Sequence, residues 1–130
     1  MPVSITGQKT ITITGTYQNF VSGAGETGSI EFMPDVKSLE DTTDAVVLTT
    51  PPFVAILPGT IGYGGNSGGN GHFSIVIPTT DNTELFPQGF TYTITERVSN
   101  LGTRTTKGVK IPSTLGSTAD ITAILAPYLT

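Results

Sequence analysis

The sequence predicts an all-β fold, a single antiparallel β-sandwich, on three observations. Apolar residues and Thr alternate with a period of two through most of the chain, as in strands that bury one face. Gly, Asn, Asp and Pro punctuate those runs at short intervals, which suits short strands joined by turns. No long helical pattern precedes residue 117, so the layers must be sheet on sheet.

The elements follow in order. In KTITITGTY, residues 9–17, Ile11 and Ile13 point one way and Thr10, Thr12 and Thr14 the other; Thr suits the outer face by both propensity and solvation. GSIEFMP places Ile30 and Phe32 inward and Glu31 outward, ending at Pro34, where ladder pairing stops. KSLEDTTDA, residues 37–45, is the most polar stretch and reads as an exposed loop. AVVLTTPPFVAIL holds two apolar runs broken by Pro51 and Pro52, hence two strands joined by a kink or a sheet crossover. HFSIVIP places Phe73, Ile75 and Ile77 on one face. FTYTITERV sets Phe90, Tyr92, Ile94 and Glu96 against Thr91, Thr93, Thr95 and Arg97. Asn100 and Gly102 then turn the chain, and TKGVKIP completes a hairpin with Val109 and Ile111 inward. That makes about seven strands, with an immunoglobulin-like sandwich as the leading arrangement. In STADITAILAPYL, Ser117 or Thr118 caps a short helical turn carrying Ile121, Ile124 and Leu125, closed by Pro127.

Bulk properties narrow the function. A chain of 130 residues makes one domain, residues 1–130, able to bury a core without disulfides or metal. The repeated core pattern spans about 8–112, leaving 1–8 and 113–130 as candidate docking arms. Only 12% of residues are charged, about half the usual share, so Thr, Ser, Asn and Gly must supply the surface. Six basic against ten acidic residues give a net charge of −4, without the basic footprint that nucleic-acid binding needs. The absence of Cys excludes a disulfide framework and Cys-ligated zinc. MPVSITGQKT lacks the pattern of a secretion signal, and no apolar run approaches a membrane span.

The glycine-rich stretch Gly62–Gly71 fails the dinucleotide fingerprint twice: the final glycine position falls on Ser67 or Ser74, and a strand follows. It lacks the Lys of a phosphate loop, and Phe73 stands where a calcium nonapeptide needs Asp. It reads as a long turn. His72 is the only histidine, so any triad must pass through it, yet it borders that turn, where catalytic geometry is hard to hold. Glu40, Asp41 and Asp44, and Asp81 with Glu84, are local carboxylates of the kind that are usually solvated or cap their own backbone. Glu96 and Arg97 are adjacent and face opposite sides, so they do not pair with each other. Glu96 sits near the end of an apolar face, where a structural salt bridge or a strand-end position is expected rather than a buried acid, an unpaired buried charge being costly. Of the aromatics available to a sugar platform, Tyr17, Tyr63, Phe86, Phe90, Tyr92 and Tyr128, most fall at core or turn positions, and there is no Trp. No catalytic, cofactor-binding or metal residues are assigned.

Two stretches carry a resemblance. TITGTYQNFVSGAGETGSIEFMP supplies Thr14, Gly15, Thr16 and Tyr17, then Gly28, Ile30, Phe32 and Pro34. The second half supplies Gly71, Phe73, Ser74, Ile75, Ile77 and Pro78, then Thr80, Asp81, Leu85, Pro87 and the run from Gly89 to Glu96. Together, over about residues 10–112, these resemble a Thr-rich β-sandwich module of virion structural proteins from tailed bacteriophages of actinobacteria, also found at the start of minor tail proteins. Phe90 stands where that pattern has Trp, and the Gly62–Gly71 loop is longer than usual. The resemblance implies no catalysis and no cofactor. It implies a protein made in the host cytoplasm and carried on the particle, most readily a capsid decoration or accessory protein bound to the major capsid protein. A minor tail or fibre component bound to tail proteins is the alternative, and a trimer is the assembly such accessory proteins often form. Attachment through MPVSITGQ or ILAPYLT, by strand addition to a neighbouring sheet edge, follows from their position outside the core pattern. A module binding host-surface sugars, and an enzyme built on His72, are the rival classes.

Overall fold

The structure is a computed structural model, and it describes residues 10–23, 25–41, 45–57, 71–82 and 85–129. Strand β1 (Thr10–Thr16) pairs antiparallel with β6 (His72–Pro78), from Thr10 opposite Pro78 to Thr16 opposite His72. On its other edge it pairs in parallel with β10 (Thr118–Asp120). A second sheet runs in the order β5, β2, β8, β9, all antiparallel, from β2 (Gly28–Pro34), β5 (Phe53–Leu57), β8 (Tyr92–Val98) and β9 (Gly102–Val109). A third, smaller sheet is built from β3 (Ser38–Asp41), β4 (Val46–Thr49) and β7 (Leu85–Phe86). The fold is an all-β sandwich with one short C-terminal helix, α1 (Ile121–Leu125).

The core forms where the inward faces of the two larger sheets meet. Ile11 and Ile13 from β1, Ile30 and Phe32 from β2, Phe73 and Ile77 from β6, and Tyr92 and Ile94 from β8 are all buried, as their alternation predicts. Each contributes about 1.5–3 kcal/mol by leaving water. Phe32 is central: its ring lies 6.5 Å from that of Phe73 and 6.4 Å, edge to face, from that of Tyr92. The Tyr92 hydroxyl donates to the Pro78 carbonyl at 2.7 Å, which satisfies the one polar atom of that ring. Gly15 lets the layers close: a Cβ there would come within 2.5 Å of the Phe73 ring and 2.6 Å of Ile121.

The two runs around Pro51 and Pro52 do separate into different sheets, β4 in the small one and β5 in the large one. Between the small sheet and the body lies a cavity of ≈ 120 Å³, walled mainly by Leu39, Leu48, Phe53, Leu85, Phe90 and Tyr92.

Two expectations about the strands change. Ten strands are described rather than about seven, because β3, β7 and β10 are short and carry weak patterns. The segment 37–45 is not a loop throughout: Ser38–Asp41 is a strand with Leu39 and Asp41 buried. Its inward pair is one apolar and one acidic residue, so polarity concealed the alternation. Thr42 to Asp44 lie outside the described residues.

The helix cap is Asp120, whose carboxylate accepts from the Thr122 backbone N–H at 2.9 Å and its hydroxyl at 2.8 Å. Thr118 pairs with Thr12 instead, and the Ser117 carbonyl accepts from the Thr12 N–H. Pro127 does not close α1 but sits in the 3-10 turn Ala126–Tyr128 that follows it. As expected, Ile121, Ile124 and Leu125 are buried. The segment proposed as a C-terminal arm is therefore built into the body from β10 through α1. The N-terminal segment 1–8 lies outside the described residues.

Candidate functional site

Among the described residues the sequence candidates do not gather. His72 ends the β1–β6 ladder, where its Nδ1 and Thr16 Oγ1 share a hydrogen bond of 2.9 Å. Asp81 lies at the opposite end of β6, where its carboxylate accepts from the Ser113 N–H at 3.0 Å and the Ser113 hydroxyl at 2.9 Å. Slight burial works to raise the Asp81 carboxyl, but these hydrogen bonds prevail and hold it below its ordinary value. Glu40 is exposed on β3 beside the buried Asp41. Among the described residues no group of three or more His, Asp or Glu is placed to hold a metal ion. Nor is any described helix long and apolar enough to cross a membrane. Gly62 to Asn70, Tyr63, Asp44 and Glu84 lie outside the described residues.

Gly71 is described, and its backbone positions Tyr17. Tyr17 N–H donates to the Gly71 carbonyl at 2.8 Å, while the Tyr17 carbonyl accepts from Glu26 N–H at 2.9 Å. With φ at 71°, Gly71 approaches so closely that a Cβ would lie 2.1 Å from the Tyr17 oxygen. Gly71, the residue just before HFSIVIP, is thus fixed by close backbone approach.

The polar centre of the molecule is Glu96. It is wholly buried on the inward face of β8, yet fully engaged. Arg104, directly opposite on β9, donates through Nε at 2.8 Å and Nη2 at 3.0 Å, one to each carboxylate oxygen. The Tyr17 hydroxyl adds a third bond, to Oε2, at 2.6 Å. Burial, then the bond to Glu96, pushes the Tyr17 phenol well above its ordinary value. The same bond raises Arg104. The sequence favoured a salt bridge or a strand-end position over a buried acid; the salt bridge is there, but the expectation against burial is corrected, because Arg104 and Tyr17 satisfy both carboxylate oxygens of a wholly buried Glu96. Arg97, as expected, turns away and lies 3.7 Å from Glu31 on the outer face.

This triad separates two open clefts at one end of the sandwich. One, of ≈ 400 Å³, runs along α1, with Thr16, Gln18, Ile121, Leu125 and Leu129 among its walls. The other, of ≈ 420 Å³, lies between the turn at residues 19–23 and the β8–β9 hairpin tip. Tyr17 and Arg104 face both.

Of the six aromatics considered for a platform, Phe90 and Tyr92 pack in the core with ring centroids 5.4 Å apart. Tyr17 is half-buried and stacks on Phe73. Tyr128 is used locally, its hydroxyl accepting from Lys110 N–H at 3.0 Å. Phe86 is exposed on β7. Among the described residues the aromatic most open to solvent is Phe20, which was not among them. Its signal was local: Asn19 and Gly23 bracket it as a turn, and a Phe at a turn tip has no core to enter.

No protein-family model matches this chain, and comparison with curated proteins and with solved structures returned no match.

Proposed function

We propose that the chain is a structural protein of a tailed-bacteriophage particle, attached to the head surface as a decoration or accessory protein of the major capsid protein. The observation that carries the reading is that the residues of the resemblance are ones this sandwich uses to close. Gly15 lies beneath Phe73, Phe32 and Phe73 meet in the core, Gly71 fixes Tyr17, and Tyr92 bonds across to Pro78. The reading assigns no catalysis, cofactor or metal. Its support on that side is that Glu96, Asp81, Asp35 and Asp120 each hold backbone or side-chain groups of the chain itself.

Attachment is assigned to residues 1–8. Pulling out the C-terminal segment instead would expose Ile121, Ile124 and Leu125 and break the β1–β10 pairing. Antibody raised against the protein, gold-labelled and viewed on intact particles, should decorate the head. Label confined to the tail would convert the reading to a minor tail or fibre component, and unlabelled particles would overturn it. Deleting residues 1–8 should abolish incorporation while leaving the isolated protein folded.

A further inference from the structure

The ≈ 420 Å³ cleft at the hairpin end has the construction of a ligand site. One wall is the turn at 19–23, whose backbone Asn19 satisfies by itself: its side-chain oxygen accepts from Val21 N–H at 2.9 Å and Ser22 N–H at 3.0 Å, and its carbonyl accepts from Gly23 N–H at 2.8 Å. This turn holds Phe20 and Val21 almost completely in solvent. The opposite wall is the tip of the β8–β9 hairpin, clamped to Glu26 and Thr27. Ser99 and Asn100 both donate to the Glu26 carboxylate at 3.1 Å, and the Ser99 hydroxyl accepts from Thr27 N–H at 3.0 Å. The floor carries Tyr17 and Arg104. The polar groups are thus positioned by bonds to one another before any ligand arrives, which is how a binding site avoids an ordering cost.

The lining decides the ligand class. Phe20 offers an open ring face, against which the C–H face of a pyranose packs. Asn100 keeps its side-chain oxygen, and Arg104 its Nη1, outside the bonds already made, giving an acceptor and a donor for ring hydroxyls. Arg104 is neutralised by Glu96, whereas Glu26 has no ion-pair partner among the described residues, so the cleft carries one net negative charge. A negative site disfavours acidic ligands. Its volume suits a small molecule, whereas a protein partner would need a far broader contiguous face.

We infer that this cleft binds a neutral saccharide, stacked on Phe20 and hydrogen-bonded by Asn100, Glu26 and Arg104. The inference gives the sugar-binding alternative a definite place, and it does not depend on where the chain sits on a particle. The test is a titration of the isotope-labelled full chain, followed by amide NMR, with chitotriose, mannotriose, lactose and 3′-sialyllactose.

At least one neutral sugar should give saturable shifts confined to residues 17–27 and 98–104, with Kd on the order of a millimolar. Phe20→Ala, which removes no packing, should weaken binding at least about tenfold with the amide spectrum otherwise unchanged. Asn100→Gly keeps the left-handed backbone (φ 65°) and removes the amide that bonds Glu26; it should weaken binding as much, with spectral changes in the free protein confined to the hairpin tip and Glu26. Absence of saturable shifts with all three neutral sugars would overturn the inference. So would shifts indifferent to Phe20→Ala, or sialyllactose binding as tightly as lactose.

Discussion

Two stretches of the same face of β8 show what holds this molecule together. Tyr92 and Ile94 enter an interior of rings and branched aliphatics, while Glu96, two residues further, enters one made of a guanidinium and a phenol. All three side chains are buried, although Arg104, which meets Glu96, remains 39% exposed. The first gains by transfer from water and tolerates any side chain of similar shape. The second gains little over an apolar equivalent, yet it is costly to leave half-made, because an unpaired charge cannot stay buried. Burial alone therefore does not say how a position responds to change; the partner does.

Removing a central ring should have the largest effect. Phe73→Ala opens a cavity beside Phe32 and beneath Gly15 and should cost about 3–5 kcal/mol in urea unfolding. Arg104→Gln should approach it, at about 3 kcal/mol, by leaving Glu96 buried with only the Tyr17 hydroxyl. The comparison sharpens in the double variant: Glu96→Gln with Arg104→Gln removes both charges and should recover half or more of that loss. No recovery would mean that the triad is net stabilising as a charged unit.

The same polar knot can be read by alkali. Tyr17, through burial and then its bond to Glu96, and Tyr92, through burial, both have phenols raised above the ordinary value. A raised folded value means that their contribution is complete below the unfolded pKa, near 10, and is lost as pH rises above it. Phenolate absorbance should accordingly show these two tyrosines ionising only together with loss of the fold. In Arg104→Gln, Tyr17 should still ionise late, since burial outweighs any neighbouring charge in raising its phenol. Early ionisation of Tyr17 in the intact protein would show that the knot is open to solvent.

How much of this was legible follows from the range of each interaction. The long strands were readable because Ile–Thr alternation records an inward face locally. The Glu96–Arg104 pair was readable in principle from hairpin arithmetic, since a turn setting Val98 opposite Gly102 sets Glu96 opposite Arg104. Tyr17 was not, because its approach to Glu96 spans 79 positions and depends on the Gly71 contact. β3 was hidden because its inward pair is Leu39 and Asp41, and β10 because three residues carry no period. Phe20 was legible only through Asn19 and Gly23, which bracket it as a turn, and the Asn19 side chain closes that turn so that the ring faces water.

The smallest expected effect tests the comparison from outside. Glu96 and Arg97 are consecutive, so one strand sends one charge inward and the next to solvent. Arg97 meets Glu31 at 3.7 Å, with the two side chains 54% and 24% exposed. At that exposure the attraction is screened and offset by the entropy of holding two long side chains, so Glu31→Gln should cost under about 1 kcal/mol. What little it costs should fade in high salt, whereas the loss in Arg104→Gln should persist, because the buried carboxylate is beyond the reach of mobile ions. A Glu31→Gln penalty equal to that of Arg104→Gln would show that the outer face of β8 is as closed to water as its inner one, and the distinction between the two faces would fail.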